Sequence, residues 1–393
     1  MGFIVGFNRD RDSYQAAIAF AEAGLLDRFV TDYYRGKLPV GLPNLDHRYA
    51  PSVPPSKVVA SFGAFARQLP YEVKRRFGHA LFPSAQVEAA LGRTAASVAS
   101  TMPSSDLFLY SGSALAAFRG PSQGRRILFQ YHPSPSYIEK VMRGVDELGD
   151  YRPWIAEAEV NNVHMERTHL EEVRLAERVV CASSFTRASL VSVGMPYAAI
   201  NVVPYGCPEP TSERPPNPSD ECRFLFVGQG VQRKGLHLLV EAWRRAGLRK
   251  ASLTVVAQRI DPAIESLAAG VPRLDLRGRV GRDELKGLLA ACDTFVLPSL
   301  VEGFGLVLGE ALASGARLIG SGSTGLVDMG LPPEIGSVIP AGTVDPLADA
   351  LRSAAESYDP ARPYRDLALA EARRLSWASF RAGILAAAHA EGA

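Results

Sequence analysis

Short runs of β-branched and aromatic residues alternate along this chain with longer stretches whose apolar positions recur every three or four residues. That alternation is the mark of a parallel α/β architecture. In the first half, Phe3–Phe7, Leu107–Tyr110, Ile127–Gln130, Val179–Cys181 and Asn201–Pro204 are predicted as buried strands. Ser13–Ala23 and Ile155–Glu177 read as helices between them. In the second half the predicted strands are Arg223–Val227, Ser252–Ala257, Leu274–Arg277, Thr294–Pro298 and Arg317–Gly320. Leu236–Ala246, Arg282–Ala291 and Leu306–Ser314 are the helices among them. The stretch from Cys207 to Glu221 carries five prolines and no apolar periodicity, which makes it a linker. The expected organisation is an N-terminal Rossmann-like domain over 1–207, a linker over 208–221, a second such domain over 222–372 and a C-terminal segment over 373–393. Open parallel sheets bind ligands beyond the carboxyl ends of their strands, so the site is expected between the two domains.

Composition narrows the class. The chain has 393 residues, 47% hydrophobic and 21% charged, which suits a folded two- or three-domain protein and excludes disorder or a coiled coil as its main state. Its net charge of +2 gives no global field for nucleic acid. Cys181, Cys207, Cys222 and Cys292 lie far apart without metal-ligand spacing, so they read as buried, reduced thiols. The first residues run straight into a strand pattern, and no apolar run approaches the roughly 18 residues of a spanning helix. A cytoplasmic protein, soluble or bound peripherally to a membrane, is expected.

Charge is uneven in the first half. Residues 57–126 carry a surplus of six positive charges and residues 144–177 a surplus of six negative ones. Arg67, Lys74, Arg75 and Arg76 are interleaved with Phe62, Phe65, Leu69 and Phe77. Two readings stand: a solvated helix face, or a surface for anionic lipid head groups or a lipid-linked acceptor.

Two segments carry candidate chemistry. In Ser299-Leu-Val-Glu-Gly-Phe-Gly-Leu306, a strand end leads through Gly303 and Gly305 into a helix. Glycines let backbone N–H groups approach a ligand, and the helix start adds partial positive charge, a setting for a diphosphate. Glu302 precedes that helix and Glu310 lies within it; carboxylates there suit the hydroxyls of a sugar or ribose, although a helix cap and an exposed helical glutamate would account for them equally well. In Val227-Gly-Gln-Gly-Val-Gln-Arg-Lys-Gly235, a strand and glycine turn precede Arg233 and Lys234, a forked donor and a point charge for phosphate. Neither run is a dinucleotide fingerprint or a P-loop, because the third glycine and the Gly-Lys-Ser/Thr order are missing. Each alone is weak evidence, and the two together in one domain are not.

These segments resemble the donor-binding domain of the retaining family-4 glycosyltransferases of GT-B fold. The likeness rests on Glu302 and Glu310 within Ser299–Glu310, on Gly228 followed by Lys234-Gly235, and on the lead-in Asp283–Ser299. Leu175–Ser183 and Val202–Gly206 resemble the end of that family's N-terminal domain, whereas the first 120 residues match little. The resemblance implies two doubly wound domains facing a cleft, with a C-terminal helix crossing back to the first. It implies transfer of a sugar from a nucleotide-diphosphate sugar, with retention, to an acceptor such as a surface glycan or a lipid-linked sugar. Glu310 would hold the ribose and Glu302 the transferred sugar. The amides of Phe304, Gly305 and Leu306, beside Gly303, would bind sugar and phosphate. Lys234 would neutralise the leaving diphosphate. The family usually has arginine directly after the first glycine; Gln229 stands there in this chain, and Arg233 near Gly228 and Gly230 is the natural substitute. Arg279 lies where the family surrounds the base. His132, after a strand end, matches a histidine that reaches the donor sugar, although a lone histidine is more often structural; His47, His79, His164, His169 and His237 read as surface or packing residues. Gly6 and Asn8 match the family's first loop loosely and are expected to line the acceptor or donor site. No cofactor is expected and no metal: the one Asp-x-Asp pair, Asp10 and Asp12, is flanked by Arg9 and Arg11 and reads as solvated loop or capping residues. A nucleotide-sugar 2-epimerase of the same fold and a non-catalytic nucleotide-sugar-binding protein remain as alternatives.

Overall fold

The computed structural model describes residues 2–37, 47–75, 84–144, 163–211, 221–359, 361 and 364–390. Among the described residues thirteen strands form two sheets. In the first, β1 (Phe3–Gly6), β2 (Leu26–Thr31), β3 (Val58–Ala60), β4 (Asp106–Tyr110), β5 (Arg126–Gln130), β6 (Arg178–Cys181) and β7 (Ile200–Val202) lie in the order β3-β2-β1-β4-β5-β6-β7. In the second, β8 (Cys222–Gln229), β9 (Ala251–Gln258), β10 (Leu274–Arg277), β11 (Thr294–Leu297), β12 (Arg317–Ser321) and β13 (Gly336–Ile339) lie in the order β10-β9-β8-β11-β12-β13. Every pairing is parallel. Both sheets reverse strand order beside their first strand, so each has a switch point at its carboxyl edge.

The predicted strands are all present, with small shifts at their ends. Three further strands, β2, β3 and β13, lack an apolar run that would reveal them. Asp27 and Arg28 interrupt β2, and Asp27 is held at its start by the Ser105 hydroxyl at 2.6 Å. The edge strands β3 and β13 are three and four residues long. Of the predicted Ile155–Glu177 helix, Val163–Leu175 is observed and 155–162 lies outside the described residues, as do His79, Arg76, Phe77, linker residues 212–220 and the side chains of Lys74, Arg75 and His164.

The four cysteines are buried free thiols, and burial pushes Cys181, Cys207 and Cys222 up to about 12. The last helix, Trp377–His389, returns to the first domain. Arg381 donates to Gln15 at 2.6 Å and pairs with Glu22 at 3.0 Å, and Phe380 packs on Tyr205 with ring centroids 5.2 Å apart. Tyr205 also meets Phe129 of β5 at 5.9 Å and Phe304 of the second domain at 5.6 Å. This aromatic column, buried throughout, ties the two sheets together directly beneath the cleft.

Candidate functional site

The two glycine-bearing loops of the second domain close on each other. After β8 the chain turns through Gln232–Lys234 into the helix Leu236–Ala246, with Gly235 at φ 72°. A Cβ at Gly235 would meet the Pro298 carbonyl, so only glycine lets the two loops approach. The Arg233 carbonyl accepts from Leu300 N–H at 2.8 Å, and the buried Arg233 guanidinium donates to the Val301 carbonyl at 3.1 Å. Lys234, one residue on, forms an ion pair with the carboxylate of Glu302.

Gly303 touches the first domain. A Cβ there would strike the Tyr131 carbonyl. The Gly303 carbonyl accepts from Ser183 Oγ at 2.6 Å and Thr186 Oγ1 at 3.3 Å. Gly305, at φ 91°, then starts the helix Leu306–Ala313, whose first N–H groups have no partner within the helix. Phe304 is buried under Gly325 and against Tyr205.

A cavity of about 430 Å³ opens between these loops. Gly228, Arg233, Lys234, Arg279, Glu302, Gly305, Leu306 and Glu310 all line it. Glu302 and Glu310, one on the loop and one on the helix, therefore converge on one space. The Glu310 carboxyl makes no hydrogen bond or ion pair among the described residues, and desolvation by the wall raises its pKa. Gly230, Gly303 and Phe304 do not line the cavity: Gly230 packs on Ile260, and the other two hold the loop against its neighbours.

A second cavity, about 610 Å³, lies on the side of the first domain. Tyr131, His132 and the loops after β1 and β4 form its walls, and it shares Arg233, Lys234 and Glu302 with the first cavity. Electrostatics at this junction are sharply set. Burial pushes the Glu302 carboxyl up, but Lys234 and Arg233 outweigh it and hold the group at about 2. Burial and the Arg233 charge pull His132 down to about 3, with Lys234 adding to this and Glu302 opposing it. At neutral pH the junction therefore holds an ionised carboxylate, two cations and a neutral imidazole.

The loop after β1 differs from expectation. Gly6 is packed behind Leu109 and Asn8 is buried; neither is in the lining of these two cavities, whereas Arg9 and Arg11 line the second. Asn8 instead accepts from Arg11 Nε at 2.9 Å and so orients it. Asp12 is not solvated. It is buried at φ 46° and accepts a hydrogen bond from the Tyr110 hydroxyl; burial raises its pKa to about 7. Asp10 is exposed, 3.5 Å from His47. Of the remaining histidines, His237 is buried in the second domain, and His169 lines the larger cavity with Nε2 2.8 Å from Ser134 Oγ.

Sequence reasoning missed several residues here. Glu172 accepts from the N–H groups of Gly112, Ala114 and Leu115 at 2.7, 2.8 and 3.0 Å, fixing the loop after β4. Ser183 and Thr186 from one helix start, Tyr131 after β5 and Glu88 from the helix Ser84–Thr101 join the site, and no spacing in the chain links these three places. Only the stacked aromatic pattern of Tyr110, Phe129 and Tyr131 at strand ends hints at a lined cleft.

Comparison with known proteins agrees with this geometry. Residues 221–357 match the model of the family described as Glycosyl transferases group 1. A glycosyltransferase of Methanocaldococcus jannaschii, described as uncharacterised, is 34% identical over 115 residues, covering 28% of this chain and 30% of that one. A glycogen synthase of Mycobacterium tuberculosis is 30% identical over 244 residues, covering 58% of this chain and 57% of that one. The chain thus spans between about a third and somewhat over half the length of these curated relatives. Among solved structures, a sucrose-phosphate synthase from Thermosynechococcus elongatus superposes with TM-score 0.66 at 16% identity, covering 97% of this chain and 96% of that one. A UDP-forming trehalose-phosphate synthase from Burkholderia xenovorans superposes with TM-score 0.63 at 15% identity and 99% coverage of both. At such identity the likeness is one of fold. Over residues 221–357 the chain is thus similar to the glycosyl transferases group 1 family, and its two parallel sheets carry the GT-B fold.

Proposed function

We propose that this protein is a retaining glycosyltransferase that moves a sugar from a nucleoside diphosphate sugar to an acceptor held by the first domain. The observation that carries the reading is the meeting of two cavities at Arg233, Lys234 and Glu302. One cavity suits the donor nucleotide: Glu310 takes the ribose hydroxyls, Arg279 stands at the base, and the amides from Gly305 onward face the diphosphate. Glu302 takes hydroxyls of the transferred sugar, with neutral His132 opposite. In the reaction the bond from the anomeric carbon to the diphosphate oxygen breaks, and the acceptor oxygen bonds to the same face of that carbon. The acceptor proton passes to the departing diphosphate. Lys234, Arg233 and the helix start stabilise the charge that develops there. Supply of positive charge by side chains supports a metal-independent reaction. The second cavity favours transfer over 2-epimerisation, which needs no acceptor.

No helix among the described residues is long and apolar enough to cross a membrane. In the helix Phe62–Arg75, Phe62 and Leu69 are exposed near Arg67, which supports peripheral contact of a cytoplasmic protein with an anionic membrane. Sedimentation with anionic vesicles that falls on charge reversal of Arg75 and Arg76 and on added salt tests that contact; unchanged or absent sedimentation refutes it.

A thermal-shift screen of UDP-, GDP- and ADP-sugars tests the donor reading. A ligand at 100 times its Kd adds about 2.7 kcal/mol of stability. One of these donors should raise Tm, and its sugar should appear on an acceptor. The absence of any shift across the nucleotides overturns the proposal.

A further inference from the structure

We infer that the acceptor is anionic, presenting a phosphate or diphosphate to arginines of the first domain. This rests on the transfer reading above and names its second substrate class.

The larger cavity is walled on the first-domain side by Arg9, Arg11, Arg93 and Arg119. The carboxylates facing them are fewer. Glu88 lines the cavity and lies 3.7 Å from Arg11, and Glu171 holds Arg119 through bonds of 2.6 Å at the rim. Glu302, the other lining carboxylate, is engaged by Lys234. The two lining histidines do not offset or add charge at neutral pH, since burial lowers His132 to about 3 and His169 to about 4. Among the described residues, cationic side chains thus outnumber anionic ones around this cavity. Arg93 is exposed to the cavity and makes no ion pair among the described residues.

Arg11 is pre-positioned. Its guanidinium lies 3.8 Å from the centroid of the Tyr131 ring, and Nε is fixed on Asn8. The loop that presents Arg9 and Arg11 has Arg9, Asp12, Ser13 and Tyr14 in the left-handed region, at φ 61°, 46°, 51° and 64°. It is anchored by the Arg9 N–H on Asp32 at 2.7 Å and by Asp12 on Tyr110. Such a backbone costs stability and persists where surrounding contacts over-determine it. A neutral sugar would be met by carboxylates and amides; planar guanidinium forks match phosphate oxygens. The volume, about 610 Å³, leaves room for a sugar beside the anion.

Isothermal titration in saturating nucleoside diphosphate tests this, because the donor pocket is then filled. Glucose 6-phosphate and farnesyl diphosphate represent a free sugar phosphate and a lipid-linked diphosphate, with glucose as the neutral control. At least one anion should bind ten-fold or more tightly than glucose, and Arg93→Gln and Arg11→Gln should each weaken it about ten-fold. Nucleoside diphosphate affinity should stay unchanged in Arg93→Gln. The stronger of the two probes identifies the source. Anions that bind no better than glucose, or that ignore both substitutions, overturn the inference. Arginine-dependent anion binding in a protein that binds no nucleoside diphosphate would uphold the anion site and overturn the donor reading.

Discussion

The Lys234 ammonium is ion-paired with the Glu302 carboxylate at the point where the two cavities join. The pair spans two loops 68 residues apart in sequence, and packing of Gly235 under Pro298 brings those loops together. A leaving diphosphate would compete with Glu302 for the same cation, so donor binding is expected to redirect Lys234.

The two glutamates should separate by ligand. Glu310→Ala should weaken binding of the free nucleoside diphosphate, which contains ribose. Glu302→Ala should spare that binding and reduce turnover of the sugar donor. Calorimetry on both variants decides this, and equal weakening of the free nucleotide would remove the sugar role of Glu302.

Stability should depend on pH through Asp12. Its folded pKa, about 7, lies above its unfolded value, so its stabilising contribution is complete below about pH 4 and is lost as pH rises through 7. Glu172, also raised to about 7 by burial, acts in the same direction. Glu302 has the opposite sign: its contribution is complete above about pH 4.5 and is lost as pH falls through about 2. The buried imidazoles of His132, His169 and His237, lowered to about 3, 4 and 4, act the other way as pH rises from 5 toward 6.5, so the Asp12 contribution is read from the variant: relative to wild type, Asp12→Asn should gain on the order of 1–3 kcal/mol in the change of stability from pH 5 to 8. Urea midpoints at the two pH values measure it; an identical change in the variant would contradict the assignment.

Much of this was legible in the chain, for identifiable reasons. The buried strands announce themselves because both faces of a parallel sheet are covered, giving continuous apolar runs such as Phe224-Leu-Phe226. Lys234, Glu302 and Glu310 could be found because local backbone geometry fixes their spacing to glycines. The first-domain wall could not. Arg93 and Glu88 reach the site from the helix Ser84–Thr101, Glu172 from Val163–Leu175 and Ser183 from the start of Ser184–Ser192, and only tertiary packing decides which side chain points inward. Asp12 misled for the same reason, since two neighbouring arginines suggest solvent while Tyr110, 98 residues away, buries it.

Gly303→Ala should disturb the contact between the domains. The new Cβ would strike the Tyr131 carbonyl and push Gly303 from Ser183 and Thr186. A loss of roughly 1–3 kcal/mol is expected, as for overpacking elsewhere. Thermal unfolding at wild-type stability would show that this approach is relaxed in solution.

Transfer should survive excess EDTA. Divalent hard cations need oxygen ligands, and the only Asp-x-Asp pair near the cleft is engaged elsewhere: Asp12 is bound to Tyr110 and Asp10 lies beside His47. Asp10→Asn should likewise leave turnover near wild type. Abolition by EDTA with rescue by Mn²⁺ would show that a metal stabilises the leaving group.

Turnover of the nucleotide sugar by Lys234→Ala is the most direct measure of how the diphosphate departs. Lys234 follows a turn at the cavity wall, so truncation leaves no hole in the core and the variant should keep its far-UV spectrum. With donor and acceptor saturating, release of nucleoside diphosphate should fall by roughly 10²–10³, the usual loss for one charge-stabilising donor. Release at a near-normal rate from the folded variant would contradict the role given to Lys234.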